Sequence, residues 1–159
     1  MRPILLALPF ILATSAASAE GCPRWQIGDL TVTNAWSRAT IGTNRPGVFY
    51  GEIVNAGSQD DALTAISTPL ATMPMLHETR LQDGVASMPH VMAVQVPAQG
   101  SINLEPGSFH GMLMGLTTAL SEGESFPVTL TFRDAGEVTI EVGIAAMNGR
   151  GPTCLNDGD

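Results

Sequence analysis

The chain has 159 residues, with 15 Asp and Glu against 7 basic residues, all of them arginine, and a formal net charge of -8. That length fits one domain, and an acidic chain with no lysine and no basic cluster lacks the electrostatic footprint that nucleic acid or an anionic membrane surface requires. With 44% hydrophobic and only 14% charged residues there is apolar material for a core, which excludes long-range disorder.

In chain order, Met1 and Arg2 precede an apolar run over 4–12 and small residues ending Ala17, Ser18, Ala19. This is the pattern of a secretory signal with a small-x-small cleavage site, so 1–19 is expected to be a signal peptide and 20–159 one exported, periplasmic domain. The apolar run is shorter than the ~20 residues a spanning helix needs, and no later segment approaches that length, so no transmembrane segment is expected. Lipidation at Cys22 fits less well, because Glu20 stands where a lipoprotein signal wants a small uncharged residue. Removing 1–19 leaves six arginines against fifteen acids. In an oxidising compartment, Cys22 and Cys154 read as a disulfide joining the two ends, with a thiolate ligand pair or redox couple as the alternative.

Short β-branched or aromatic runs follow at 30–38, 47–55 and 62–68, then 75–81, 86–96, 101–104, 110–116, 126–132 and 137–144. Turn chemistry separates them, notably Asp83-Gly84, Pro106-Gly107, Gly123 and Ala135-Gly136. A spacing of about ten residues, with 17 Gly and 11 Pro and no 3.6-residue apolar period, predicts an all-β antiparallel sandwich or Greek-key barrel. The tail over 148–159 reads as irregular.

All three histidines and six of the eight methionines fall between 73 and 114. Met73, Met75 and His77 alternate, as do Met88, His90, Met92 and His110, Met112, Met114, and alternate residues of a strand share a face. Thioether sulfur is a soft, uncharged donor that prefers Cu(I), and imidazole accepts both copper oxidation states, so such a mixture selects copper over zinc, magnesium or calcium. Only the imidazoles lose affinity on acidification, because a thioether has no proton to exchange. Met is also the usual filler of irregular core gaps, and on that reading the stripe is packing. No nucleophile stands beside an activating base and no G-x-S-x-G elbow is present, so the chain is not expected to be an enzyme.

Four of these residues are spaced H-x10-M-x21-H-x-M: His77, Met88, His110 and Met112. With NAWSRAT, GEIVNAG, LHETRLQDGVASM, LEPGSFHGMLMGL and VTLTFRDAGEVTIEV, that spacing resembles the PCu(A)C family of periplasmic copper chaperones over most of the exported chain. The resemblance implies a single-domain, cupredoxin-like Greek-key β-sandwich in which those four residues together hold one Cu(I). It further implies a monomer that delivers copper towards the dinuclear centre of cytochrome c oxidase subunit II, alone or with a Sco-type partner. A copper buffer without a dedicated recipient is the alternative. A cupredoxin electron carrier is disfavoured, because no cysteine follows the His110 segment closely enough for a His2Cys set. His90 and Met92 stand outside the family's ligand pattern and are candidates for an auxiliary site, including one for Cu(II). Met73, Met75 and Met114 are assigned to the core or to the surroundings of the ligands. Glu78, Asp83 and Glu105 are surface acids that could draw cations in.

Overall fold

A computed structural model describes residues 22–155. The signal segment expected over 1–19 and the last four residues of the tail lie outside that range. The described residues form twelve strands and one short 3-10 turn. The first four strands are β1 (Trp25–Ile27), β2 (Leu30–Arg38), β3 (Gly47–Asn55) and β4 (Asp61–Ser67). They are followed by β5 (Ala71–Glu78), β6 (Arg80–Gln82), β7 (Val85–Ser87) and β8 (Val94–Val96). The last four are β9 (Gly100–Leu104), β10 (Phe109–Leu116), β11 (Ser125–Phe132) and β12 (Glu137–Ala145), and the turn spans Thr153–Leu155.

Ten strands form one sheet in the order β5-β10-β9-β3-β2-β12-β11-β4-β8, with β1 against β2, while β6 and β7 pair separately. Neighbours are mostly antiparallel, with β12 parallel to β2 and a short parallel contact of β10 with β9. The sheet curls until β4 and β5 meet, which gives a barrel-like, all-β body as the strand pattern predicts. Inside it, Phe49, Phe126, Leu63, Leu113, Leu130 and Ile140 are almost wholly buried. Among the described residues no methionine belongs to this core.

One irregularity shapes the outer surface. The β2–β3 register shifts between Thr33 and Trp36, with Asn34 at φ 53°. An extra residue reverses the parity of everything after it, so Val32 and Ala35 both face the core while Trp36 faces out. There it stacks on Tyr50 from β3, with ring centroids 4.7 Å apart, and forms a second, small apolar cluster.

Two predicted strands are corrected. The run over 75–81 divides into the end of β5 and β6, and β5 begins earlier, at Ala71. The run over 86–96 is strand only in β7 and β8; between them the chain leaves the ladder except for an isolated bridge from His90 to His77. Pro89 accounts for the interruption, since it can accept from Glu78 N–H (3.1 Å) but has no N–H of its own to give. The supposed common strand face of Met88, His90 and Met92 is therefore absent.

Near the ends, a disulfide joins Cys22 and Cys154, whose Cα atoms are 5.1 Å apart across 132 positions of sequence. No described helix is long and apolar enough to cross a membrane.

Candidate metal centre

The antiparallel pair β5–β10 sets His110 directly opposite His77, Met112 opposite Met75 and Met114 opposite Met73. Leu76 and Leu113, on the alternate positions, point into the core, so the His and Met side chains share the outer face. Gly111 makes the close seating of β10 possible: a Cβ there would lie 2.6 Å from Ile66 Cδ1 and 2.9 Å from Phe49 Cβ. His110 is buried, and the rings of His77 and His110 lie 6.0 Å apart.

Backbone carbonyls orient both rings. His77 Nδ1 lies 2.8 Å from the Met88 carbonyl oxygen, and His110 Nδ1 lies 3.0 Å from that of Ser108. A carbonyl can only accept, so each Nδ1 carries the proton and each Nε2 keeps a free lone pair. His77 Nε2 is buried and has no hydrogen-bond partner, a costly state for a polar atom unless something ligates it.

Met88 arrives by way of the β6–β7 hairpin. Asp83 and Gly84 both have positive φ, 52° and 79°, the requirement of a two-residue type I′ turn. The pairing Arg80↔Ser87, Leu81↔Ala86, Gln82↔Val85 continues in the same register to the His77↔His90 bridge, which brings Met88 beside the histidines. Met88, His110 and Met112 then line an open cleft of about 490 Å3 together with Thr79, Val48, Tyr50, Arg38 and Arg45. His77 is not part of that lining, but its ring stands 6.0 Å from that of His110, so two imidazoles and two thioethers lie in one neighbourhood. No group of three or more His, Cys, Asp or Glu placed to hold a metal occurs among the described residues, so a site here depends on sulfur.

Sequence reasoning passed over the cationic wall of this cleft. Arg38 sits over both Trp36 (5.5 Å) and Tyr50 (5.6 Å), and its Nε donates to the Gly149 carbonyl at 2.9 Å. Burial pushes the Tyr50 phenol above its ordinary value, with Arg38 pulling the other way. The signal was present in NAWSRAT, which ends β2, but strand parity across an unforeseen bulge could not place Arg38 beside His110.

Of the auxiliary candidates, His90 is exposed with its ring 6.0 Å from that of His77, whereas Met92 is 80% exposed and does not line the cleft. The assignment of Met73, Met75 and Met114 to the core is corrected: they lie on the outer face, with Met73 53% exposed. Glu78 is engaged by Arg80 at 2.7 Å, which offsets any pull it exerts on cations.

A family model described as "Putative lipoprotein LpqE-like" matches residues 30–144. The chain belongs to the LpqE-like family. This family is of PCuAC type, in agreement with the resemblance read from the spacing. A relative of this LpqE-like chain, "Putative lipoprotein Lxx21020" of Leifsonia xyli subsp. xyli (strain CTCB07), is 31% identical over 92% of this chain and 87% of its own. The apo PCuAC domain from PmoF1 superposes with a TM-score of 0.67 at 27% identity, covering 78% of this chain and 99% of that domain. The solution structure of Cu(I)-DR1885 from Deinococcus radiodurans matches with a TM-score of 0.59 at 30% identity, covering 82% and 85%. The fold of the LpqE-like chain is accordingly the cupredoxin-like β architecture. Although the family description speaks of lipoproteins, Cys22 Sγ in this member is bonded to Cys154 and is not a free lipid acceptor.

Proposed function

We propose that this protein is a periplasmic copper chaperone, exported by the segment 1–19, that holds one Cu(I) on His77, Met88, His110 and Met112 and passes it on without catalytic turnover. The observation that carries this reading is the pair of imidazoles locked with Nδ1–H on carbonyls, one of them with a buried, unpartnered Nε2. Ligating histidines are characteristically held through their other nitrogen in this way. The likeness to Cu(I)-DR1885 supports the choice of metal.

Charge supports the oxidation state. All four ligands are neutral and the cleft wall carries Arg38 and Arg45, so a monovalent ion meets less repulsion than a divalent one. With Cys22 and Cys154 joined, no thiolate competes for copper. Met88 is 51% exposed, so an incoming donor can reach the metal from the solvent side and displace one ligand at a time. The recipient is taken, from the family resemblance, to be subunit II of cytochrome c oxidase, reached directly or with a Sco-type protein. His90 is the residue placed to join His77 if the copper is oxidised to Cu(II), whereas Met92 stands too far out to share the cleft.

The test of delivery is oxidase activity and copper content in copper-limited cells lacking the protein. Both fall if it delivers copper to the oxidase, and His110→Ala fails to restore them. A normal oxidase in the deletion strain contradicts delivery.

A further inference from the structure

The four-ligand site uses one of the four methionines on the β5–β10 face and leaves three unexplained. Met73, Met75 and Met114 lie beside Met112 in register, Met112 opposite Met75 and Met114 opposite Met73, and so continue the row that begins with His77 and His110. Packing does not account for them. Neither apolar cluster of the described residues contains a methionine, and the positions that face the core between them are Leu113 and Leu76.

Directly opposed residues of an antiparallel pair have Cβ atoms about 4.5–5.5 Å apart, and diagonal ones about 7–8 Å. Three rotatable bonds let Met sulfurs close those gaps. Met73 is 53% exposed, and Met75 and Met114 are half-buried, so an ion can reach the sulfurs without opening the fold. β5 also ends the order of the large sheet, which leaves this face beside an open edge.

We propose that Met73, Met75 and Met114 form a second site for a soft monovalent cation, Cu(I) or Ag(I), adjoining the His77–His110 centre along the β5–β10 face. Three neutral thioethers bind such an ion more weakly than a set that includes imidazoles. The second site is therefore the weaker and more readily exchanged of the two. It stands on the thioether row alone and does not require the four-ligand centre to be correct.

The experiment is titration of the full exported chain with Ag(I), read by the methyl resonances of methionine labelled with 13C at Cε together with the imidazole resonances. The first equivalent moves Met88, Met112 and the His77 and His110 rings; the second moves Met73, Met75 and Met114. The M73L/M75L/M114L variant drops from two equivalents to one and keeps the first unchanged. Binding of a single equivalent that leaves Met73, Met75 and Met114 unmoved overturns the proposal, as does a second equivalent that survives in the variant. Met92 and Met147, exposed and away from the row, are internal controls, and equal shifts at them mean indiscriminate thioether binding and also overturn it. If the imidazoles and Met88 never respond while Met73, Met75 and Met114 do, the four-ligand reading fails and the thioether site stands.

Discussion

At His110 a single backbone carbonyl, that of Ser108, decides which ring nitrogen is left free, and that of Met88 does the same for His77. On the proposed reading the thioethers contribute to affinity and little to the fold. Met88→Leu and Met112→Leu are each expected to weaken Cu(I) binding at least tenfold in a competition titration, while apo stability changes by less than about 1.5 kcal/mol, as for other volume-conserving swaps. Gly111 behaves oppositely. Gly111→Ala must push Phe49 or Ile66 aside and should cost about 1–3 kcal/mol in urea unfolding, with the loss of affinity following from displaced strands. At this scale the common face of Met73, Met75 and His77, and that of His110, Met112 and Met114, was legible, because two residues apart on a strand share a face whatever surrounds them. What misled was the same rule applied to Met88, His90 and Met92, where Pro89 breaks the strand that the rule presumes.

Among elements, β2 and β3 coincide with their predicted bounds, since β-branched runs closed by turn residues leave little freedom. β1, three residues long, is too short to show any alternation and was not foreseen. Nor was the bulge in β2, which no local signal announces although it places Arg38 on the cleft. Asp61, the first residue of β4, holds the β11–β12 connection. Its carboxylate accepts from the backbone N–H groups of Ala62 at 2.7 Å and of Asp134 and Ala135 at 3.0 Å each. Burial alone would raise this carboxyl, but the three donors and Arg133 outweigh it and hold the group below its ordinary value. A lowered folded-state value means that the stabilisation is present above the unfolded value of about 3.9 and is lost as pH falls through the lower, folded one. Asp61→Ala is therefore expected to cost about 1–3 kcal/mol at pH 7. In urea denaturation the gap to the unaltered protein should narrow as the medium is taken below pH about 4.

Over the whole molecule, the disulfide ties β1 to the C-terminal turn at the side of the barrel, while the His and Met donors sit on the β5–β10 face. Closing so long a loop stabilises by about 5 kcal/mol in the chain-entropy model, and loss of a native bridge typically costs about 2–5 kcal/mol. Cys22→Ser/Cys154→Ser should lower Tm by many degrees yet leave the Cu(I) affinity of the folded protein within about twofold, because the bridge shares no residue with the cleft. A larger fall in affinity would mean that a sulfur of the bridge takes part in binding. Among the described residues an apolar interior free of methionine is set apart from an outer face that carries the soft donors, and the proposed copper site depends on that division. The most direct test of that site is X-ray absorption at the copper edge on protein loaded with less than one equivalent of Cu(I). A shell of two imidazole nitrogens and two thioether sulfurs is expected, reduced by one sulfur in Met112→Leu and by one nitrogen in His110→Ala. A shell without sulfur, or one that both substitutions leave unchanged, would contradict it.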